Sequence, residues 1–364
     1  MKIAIVHDWL VVNAGAEKVL KDILELYPNS DIYTLVDFLN EKDRKSILNG
    51  KQTKRSFIQK LPFAKSYFRN YLPFFPKAIE SFDLSKYDLI ISSSWAFAKG
   101  IKKSREQIHI CYCHTPIRYA WDLYDDYISN LSGVKKFLVV KTLKYIRKWD
   151  LSTVNRVDYF IANSNFVKER ISRLYNKEAK VIYPPVDLKK FKLHIDKEEF
   201  YLTASRLVSY KKTKLIVEAF NKMPNRKLVV IGSGEELQDI KSLAKENISV
   251  MGYQEDEVLV NYMQRAKAFI YAAIEDFGII PIEAMACGTP VIALNKGGTA
   301  ETVLNGLTGV HFENQSVDDI IEAINKFEKM SFNYNSIRDY SKKFSNFKVD
   351  FKSCVNEVLS NKLE

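Results

Sequence analysis

A chain of 364 residues, 46% of them hydrophobic and 27% charged, is too long for one ordinary core and too apolar to stay disordered, so two folded domains are expected. No stretch approaches ~20 uninterrupted apolar residues, which excludes a membrane-spanning helix. Lysine and arginine outnumber the acids 55 to 44, and this net charge of +11 is concentrated in two stretches that ask for a partner.

The opening MKIAIVHDW is no secretory signal, because His7 and Asp8 interrupt the apolar run. The four cysteines, Cys111, Cys113, Cys287 and Cys354, are scattered as expected of reduced thiols, so the expected compartment is the cytoplasm.

Short apolar runs alternate with helical patterns from end to end, the signature of parallel α/β sheets. KIAIVHD reads as a strand, followed by a turn at Gly15 and the helix AEKVLKDILELY, where Val19, Leu20, Ile23 and Leu24 line one side. DIYTLV reads as the next strand. Residues 51–77 then contain no acid. Their basic residues Lys51, Lys54, Arg55, Lys60, Lys65, Arg69 and Lys77 interleave with Phe57, Phe63, Tyr67, Phe68, Tyr71, Phe74 and Phe75.

DLIISSS and HICYCH are further strands; Cys111 and Cys113 point the same way, and their CxC spacing lacks the second ligand pair of a metal site. Residues 134–149 look like a basic helix. Phe137, Val140 and Leu143, with Val139 and Ile146, can share its apolar face, flanked by Lys135, Lys141, Lys144 and Lys148. The two basic stretches suit an anionic membrane surface or a solvated face over a normal core. No nucleic-acid motif accompanies them, so no nucleic-acid partner is expected.

After the strand YFIANS, Pro184 and Pro185 in VIYPPVDLKKF block a helix and mark a linker. The pattern then restarts: strands FYLTASRL, KLVVIGSG, ISVMGY, AKAFIYAA and PVIALN alternate with helices KTKLIVEAFNKM and EELQDIKSLAKE. The fold expected is α/β, two facing Rossmann-like doubly wound domains with a cleft between them, over residues 1–188 and 189–345. A C-terminal helix at about 346–364 is expected to pack back on the first. Ligands in such sheets bind at the carboxyl ends of strands.

Several chemistry-bearing residues fall at those ends. In EDFGIIPIE (275–283), Gly278 reads as a turn and Pro281 as the first residue of a helix. Glu283 then sits in the first helical turn, where the dipole favours a carboxylate, and Glu275 ends the strand AFIYAA. A carboxylate accepts hydrogen bonds from two neighbouring hydroxyls, as on a ribose or hexose. Backbone N–H groups around Gly278, Ile279 and Ile280 suit phosphate or sugar oxygens. In SRLVSYKK, Arg206 and Lys211 are cations at one loop, able to hold a diphosphate or to be ordinary surface charges. VIGSGEE carries a weak GxG signal with Gly232, and NKGG gives a glycine turn at another strand end.

Together these pieces resemble the retaining glycosyltransferases of family 4, which have the GT-B fold. EDFGIIPIEAMACGTPVIA is similar to the family's E-x7-E segment, SRLVSYK to its Arg…Lys segment, and KGGTAETVLNGLTGVHF to its GGxxE and NGxTG run. HDWLVVNAGAEKVL and CYCHTPIRYAWD resemble the bacterial branch containing mannosyltransferases of surface-polysaccharide assembly. Lys212 stands where the family usually has glycine, and Asn13–Ala14 replace a more glycine-rich loop before Gly15.

The resemblance implies that Glu283 binds ribose hydroxyls, that Arg206 and Lys211 neutralise the leaving diphosphate, and that Glu275 holds the transferred sugar. His114 would touch the donor sugar, although a lone histidine is more often structural. Gly15, Gly232, Gly252, Tyr253 and Phe277 would join Gly278, Ile279 and Ile280 around the donor, with Tyr253 and Gly252 lining the base pocket. Arg118, Trp121 and Asp122 would lie on the acceptor side.

The implied reaction moves a hexose, best mannose from GDP-mannose, to a lipid-linked saccharide at an anionic membrane surface. It needs no cofactor, and no metal, since no DxD motif sits at a strand end. A UDP-sugar-dependent transferase, an epimerase of the same fold and a silent sugar-nucleotide-binding module remain alternatives. Glycosidase-like use of the two glutamates is disfavoured, because hydrolysis has little need of Arg206 and Lys211.

Overall fold

The computed structural model describes residues 1–129 and 131–361. The chain divides into two compact units, Met1–Pro185 with the segment from Phe347 onward, and Val186–Asn346.

The N-terminal unit is built on a parallel sheet of seven strands: β1 (Ile3–His7), β2 (Asp31–Thr34), β3 (Thr53–Arg55), β4 (Leu89–Ser94), β5 (Ile108–Cys113), β6 (Tyr159–Ala162) and β7 (Ala179–Val181). Their spatial order is 3-2-1-4-5-6-7, the doubly wound arrangement that reverses direction beside β1. Alternation along the strands feeds two cores. Ala4, Val6 and Ile90 pack with Phe75, Phe97 and Trp149, whereas Ile5, Leu89 and Ile91 pack with Val19, Leu20 and Ile23 of the helix Gly15–Leu26. Both faces are covered, as a parallel sheet requires.

The C-terminal helix Phe347–Ser360 belongs to this unit. Phe347 and Phe351 stack on each other and meet Tyr112, while Lys180 reaches Glu357 at 2.6 Å. Residues 362–364 of the helix expected at 346–364 lie outside the described residues.

The C-terminal unit repeats the order 3-2-1-4-5-6 with six strands: β8 (Glu198–Ala204), β9 (Lys227–Ile231), β10 (Ile248–Gly252), β11 (Ala266–Tyr271), β12 (Val291–Leu294) and β13 (Gly309–Phe312). All its pairings are parallel. Phe220, Ile240, Ile270, Ile292 and Ile324 are fully buried in its core.

Two local expectations need correction, and three strands and one set of aromatics show what the sequence leaves open. Strands β3, β7 and β13 do not stand out in the sequence: β3 is the polar triplet Thr53-Lys54-Arg55 at a sheet edge, and β13 has only four residues. The helix carrying Glu283 starts at Ile279, so Pro281 is its third residue and Glu283 its fifth, beyond the first turn. In the helix Gly133–Ser152 the buried face is Leu143, Ile146 and Trp149, and Phe137 is 66% exposed. Among the aromatics of 51–77, Phe68 and Phe75 are core, whereas Phe63, Tyr67 and Phe74 are exposed.

All four cysteines are free and buried. Among the described residues no helix is long and apolar enough to cross a membrane.

Candidate active site

In the C-terminal unit the ends of β8, β9, β11 and β12 bring four loops together. The loop after β8 passes directly under the loop after β9: the Leu207 N–H donates to the Ser233 carbonyl at 2.8 Å. A Cβ on Gly232, whose φ is +142°, would lie 1.8 Å from the Ser205 carbonyl oxygen. The GSG sequence is therefore required by close backbone approach. After β11, Glu275 forms a parallel bridge with Gly297, and the Gly298 N–H donates to the Glu275 carbonyl at 2.8 Å. A Cβ on Gly298 would meet the Phe277 carbonyl oxygen at 2.3 Å, so the NKGG turn supports the backbone that carries Glu275.

Lys211, in the short 3₁₀ turn Ser209–Lys211, donates to Glu275 Oε1 at 2.6 Å and to the Tyr271 hydroxyl at 3.1 Å. Its ammonium also lies near the Tyr210 ring. Burial opposes the charge, but Tyr271, Glu275 and Tyr210 outweigh it and hold the Lys211 pKa above its ordinary value. Burial, with Glu275 beside it, raises the Tyr271 hydroxyl, which stays neutral.

Arg206 is exposed and donates to the Tyr210 hydroxyl at 2.8 Å, so Tyr210 orients one cation and flanks the other. The two cations differ: Lys211 is already matched to a carboxylate, and Arg206 projects to solvent. Lys212, which follows, adopts a left-handed conformation (φ +57°, ψ +29°) between the 3₁₀ turn and the helix Thr213–Asn221. That geometry is the physical reason a glycine suits this position.

Gly278 is left-handed at φ +78° and opens the helix Ile279–Ala286, leaving Ile279 and Ile280 half-buried at its N-terminus. Glu283 is 5% exposed, and Phe277 is buried with its ring against Phe344. Gly252 ends β10 and accepts from the Gly232 N–H at 2.8 Å, which ties it to the same loop cluster. Tyr253 next to it is 66% exposed. A hollow lined by Glu198, Phe200, Asn225 and Lys227 lies at the opposite, N-terminal ends of these strands and holds none of these groups.

In the N-terminal unit His114 follows β5 and is 8% exposed, with Trp95 and Tyr112 edge-on to its ring. Its Nε2 lies 2.8 Å from Ser93 Oγ. Burial, reinforced by His7, lowers its pKa to about 3, so the ring is neutral. Gly15 opens the helix Gly15–Leu26, and a Cβ there would find open space.

The three residues expected on the acceptor side are largely engaged within their own unit. The Trp121 indole donates to Asp150 Oδ2 at 2.8 Å, and Asp122 pairs with Arg170 and, at 2.8 Å, with Arg173. Arg118 is half-buried. Asp150 is fully buried and also takes Lys99 at 2.8 Å and the Tyr175 hydroxyl at 2.9 Å. It thus holds the loop after β5 against the helix Gly133–Ser152.

Sequence reasoning missed Tyr271, Tyr210, Asp150 and Asp8, whose carboxylate accepts from the N–H groups of Trp95, Ala96, Phe97 and Ala98. Only Asp8 leaves a sequence signal, an acid directly after a strand.

Residues 186–344 match the family model for glycosyl transferases group 1, and residues 15–190 match glycosyltransferase family 4. The α-1,3/1,6-mannosyltransferase ALG2 of Dictyostelium discoideum is 27% identical over 330 residues, 74% of each protein. The Saccharomyces cerevisiae ALG2 is 27% identical over 260 residues, 56% of this chain and 49% of the yeast protein, so the chain matches about half the length of that relative. The GDP-mannose-dependent monoacylated α-(1-6)-phosphatidylinositol monomannoside mannosyltransferase of Corynebacterium glutamicum is 32% identical over 135 residues, 33% of this chain and 35% of the relative. Among solved structures, HepE of Anabaena in complex with UDP and glucose superposes with a TM-score of 0.70 at 19% identity, covering 99% of both chains. Two adjoining family matches that together run from residue 15 to residue 344, on two Rossmann-like parallel sheets, establish that the chain belongs to the family-4 glycosyltransferases of the GT-B fold.

Proposed function

We propose that the protein transfers a hexosyl group, mannose from GDP-mannose, to a hydroxyl of a lipid-linked saccharide in polysaccharide assembly, with retention and without a metal. The observation that carries this reading is the Lys211–Glu275 pair, 2.6 Å apart beside a helix N-terminus and near the exposed Arg206. A carboxylate held by one cation can accept from sugar hydroxyls without leaving the site unbalanced. Lys211 and Arg206 then face the diphosphate. As the bond from the anomeric carbon to the phosphate oxygen breaks, the acceptor oxygen bonds the same face of that carbon. The acceptor proton passes to the leaving phosphate oxygen, whose charge the cations stabilise. Glu283 holds the ribose, and His114 a hydroxyl of the sugar. Mannose is favoured by the names of the ALG2 and Corynebacterium relatives.

Membrane association at the inner face of the cytoplasmic membrane is supported by the surface of the N-terminal unit. The helix Gly133–Ser152 packs against the 3₁₀ segment Phe68–Phe74, so the two basic–aromatic stretches adjoin. Phe63, Tyr67, Phe74, Phe137 and Leu138 are exposed there among Lys60, Lys65, Lys135, Lys141 and Lys144. Each cation near an anionic leaflet contributes about 1 kcal/mol.

Incubation with GDP-mannose, UDP-sugars and a lipid extract tests the reaction, and product anomericity tests retention. Arg206→Ala or Lys211→Ala is expected to lower turnover by at least ~100-fold. Isomerised donor without transfer would mean an epimerase, tighter binding of UDP than GDP in calorimetry would overturn the donor, and loss of activity in EDTA restored by Mg²⁺ would overturn metal independence. Failure to cosediment with anionic vesicles at low salt would remove the membrane.

A further inference from the structure

Two tyrosines stand beside the cations of the C-terminal unit. Tyr271 ends β11 and is 3% exposed, its ring stacked on Phe269 at 6.2 Å. Tyr210 is half-buried in the 3₁₀ turn Ser209–Lys211, directly before Lys211 and four residues after Arg206. The backbone of this loop is tied down: the Leu207 N–H donates to the Ser233 carbonyl at 2.8 Å and the Lys211 N–H to the Val208 carbonyl at 2.9 Å. What it leaves open is where two long, rotatable side chains place their charge.

An ammonium and a guanidinium only donate, so both phenol oxygens act as acceptors. Tyr271 accepts from Lys211 at 3.1 Å, and Tyr210 accepts from Arg206 at 2.8 Å. Glu275 Oε1, at 2.6 Å, takes a second Lys211 hydrogen, and the third has no partner among the described residues. Arg206 makes only the Tyr210 bond among the described residues, so its remaining N–H groups are unspent. The Tyr210 ring centroid lies 5.4 Å from the Lys211 ammonium and 5.9 Å from the Arg206 guanidinium, within reach of a cation–π attraction to both. Packing alone would be served by phenylalanine at either position.

We propose that Tyr210 and Tyr271 are positioning residues for sugar transfer: their hydroxyls hold Arg206 and Lys211 in place before the donor binds. The unspent N–H groups of the two cations then meet the diphosphate without first losing rotamer freedom. This rests on the reading above that the two cations face the diphosphate. Each hydroxyl serves a different cation, Tyr271 the lysine and Tyr210 the arginine, and this division is what an experiment can resolve.

Tyr210→Phe and Tyr271→Phe each remove one oxygen and keep the ring. Transfer from GDP-mannose, or from the UDP-sugar that replaces it, is measured for each variant alone and combined with Arg206→Ala or Lys211→Ala. Such double-mutant cycles separate a hydroxyl that acts through one cation from a hydroxyl that supports the fold, whose loss would lower every background alike.

Each single variant is expected to lower kcat about tenfold with KM little changed, the scale of one hydrogen bond to a charged group whose effect grows as the phosphate leaves. Tyr271→Phe should have no further effect in Lys211→Ala, and Tyr210→Phe none in Arg206→Ala. Each should keep its effect of about tenfold when the other cation is the one replaced. Wild-type kinetics in either variant, a change confined to KM, or the same loss with and without the hydroxyl's own cation overturns the proposal. If Arg206→Ala and Lys211→Ala themselves transfer sugar at the wild-type rate, the placement of the cations on the diphosphate fails, and the positioning role falls with it.

Discussion

His109 makes the N-terminal unit sensitive to mild acid by an amount that can be worked out. It is fully buried on β5; its Nδ1 lies 2.9 Å from the Arg156 carbonyl and its Nε2 2.7 Å from Ser92 Oγ, a neutral ring satisfied at both nitrogens. Burial lowers its pKa to about 4, a shift that the Arg156 carbonyl and Asp158 only partly offset and that Lys103 and Lys99 reinforce. In the unfolded chain a histidine titrates near 6.5. The unfolded state therefore binds the proton first, and stability contributed by the neutral ring is present above about pH 6.5 and lost as pH falls toward 4.

Between about pH 7.5 and 5 the linkage relation gives a loss of about 2 kcal/mol for His109. His114, at about 3, adds a similar loss of about 2 kcal/mol over the same interval. Against a domain stability of roughly 5–15 kcal/mol this is large. All four tryptophans, Trp9, Trp95, Trp121 and Trp149, lie in the N-terminal unit, so urea unfolding followed by tryptophan fluorescence reports on that unit alone. The wild type should lose about 2 kcal/mol more than His109→Gln between the two pH values. Equal losses in the two proteins would refute the reasoning.

Three further outcomes follow from packing. Lys212→Gly removes a side chain from a left-handed position and should stabilise the C-terminal unit by about 1 kcal/mol, read as a higher urea midpoint in far-ultraviolet circular dichroism; an unchanged midpoint would argue against strain there. Gly298→Ala forces a Cβ to within 2.3 Å of the Phe277 carbonyl oxygen and should displace the Glu275 loop. We expect turnover to fall at least ~10-fold while the far-ultraviolet circular dichroism spectrum stays native, on the ~1–3 kcal/mol scale of overpacking, and wild-type kinetics would show that the loop yields freely. Lys99→Met strands the Asp150 carboxylate in a fully buried site and should cost about 3–5 kcal/mol in the fluorescence-monitored melt, with Asp150→Asn added to it recovering part of the loss.

Much of this protein was legible in one dimension. Short continuous apolar runs such as IAIVH and AFIYA, separated by amphipathic helices, specify parallel strands covered on both faces, because successive residues of each run are buried against helices on opposite faces. The strand ends at Glu275, Arg206 and His114 could be read for the same reason: chemistry-bearing residues directly after an apolar run fall at the carboxyl edge of a sheet. Other features arise only when distant segments meet. Lys211 and Glu275 lie 64 residues apart, and nothing local in SRLVSYKK indicates that its lysine is neutralised by a carboxylate from another loop. Phe137 and Leu143 share a helix pattern, but which of them faces solvent depends on where the neighbouring 3₁₀ segment lies. The polar contacts behind His114 depend on Ser93, His7 and Glu17 being brought together from three separate elements. Hydrophobic periodicity is a property of neighbours along the chain and survives in the sequence, whereas the pairing of polar groups depends on which loops the folded sheets bring to the same edge.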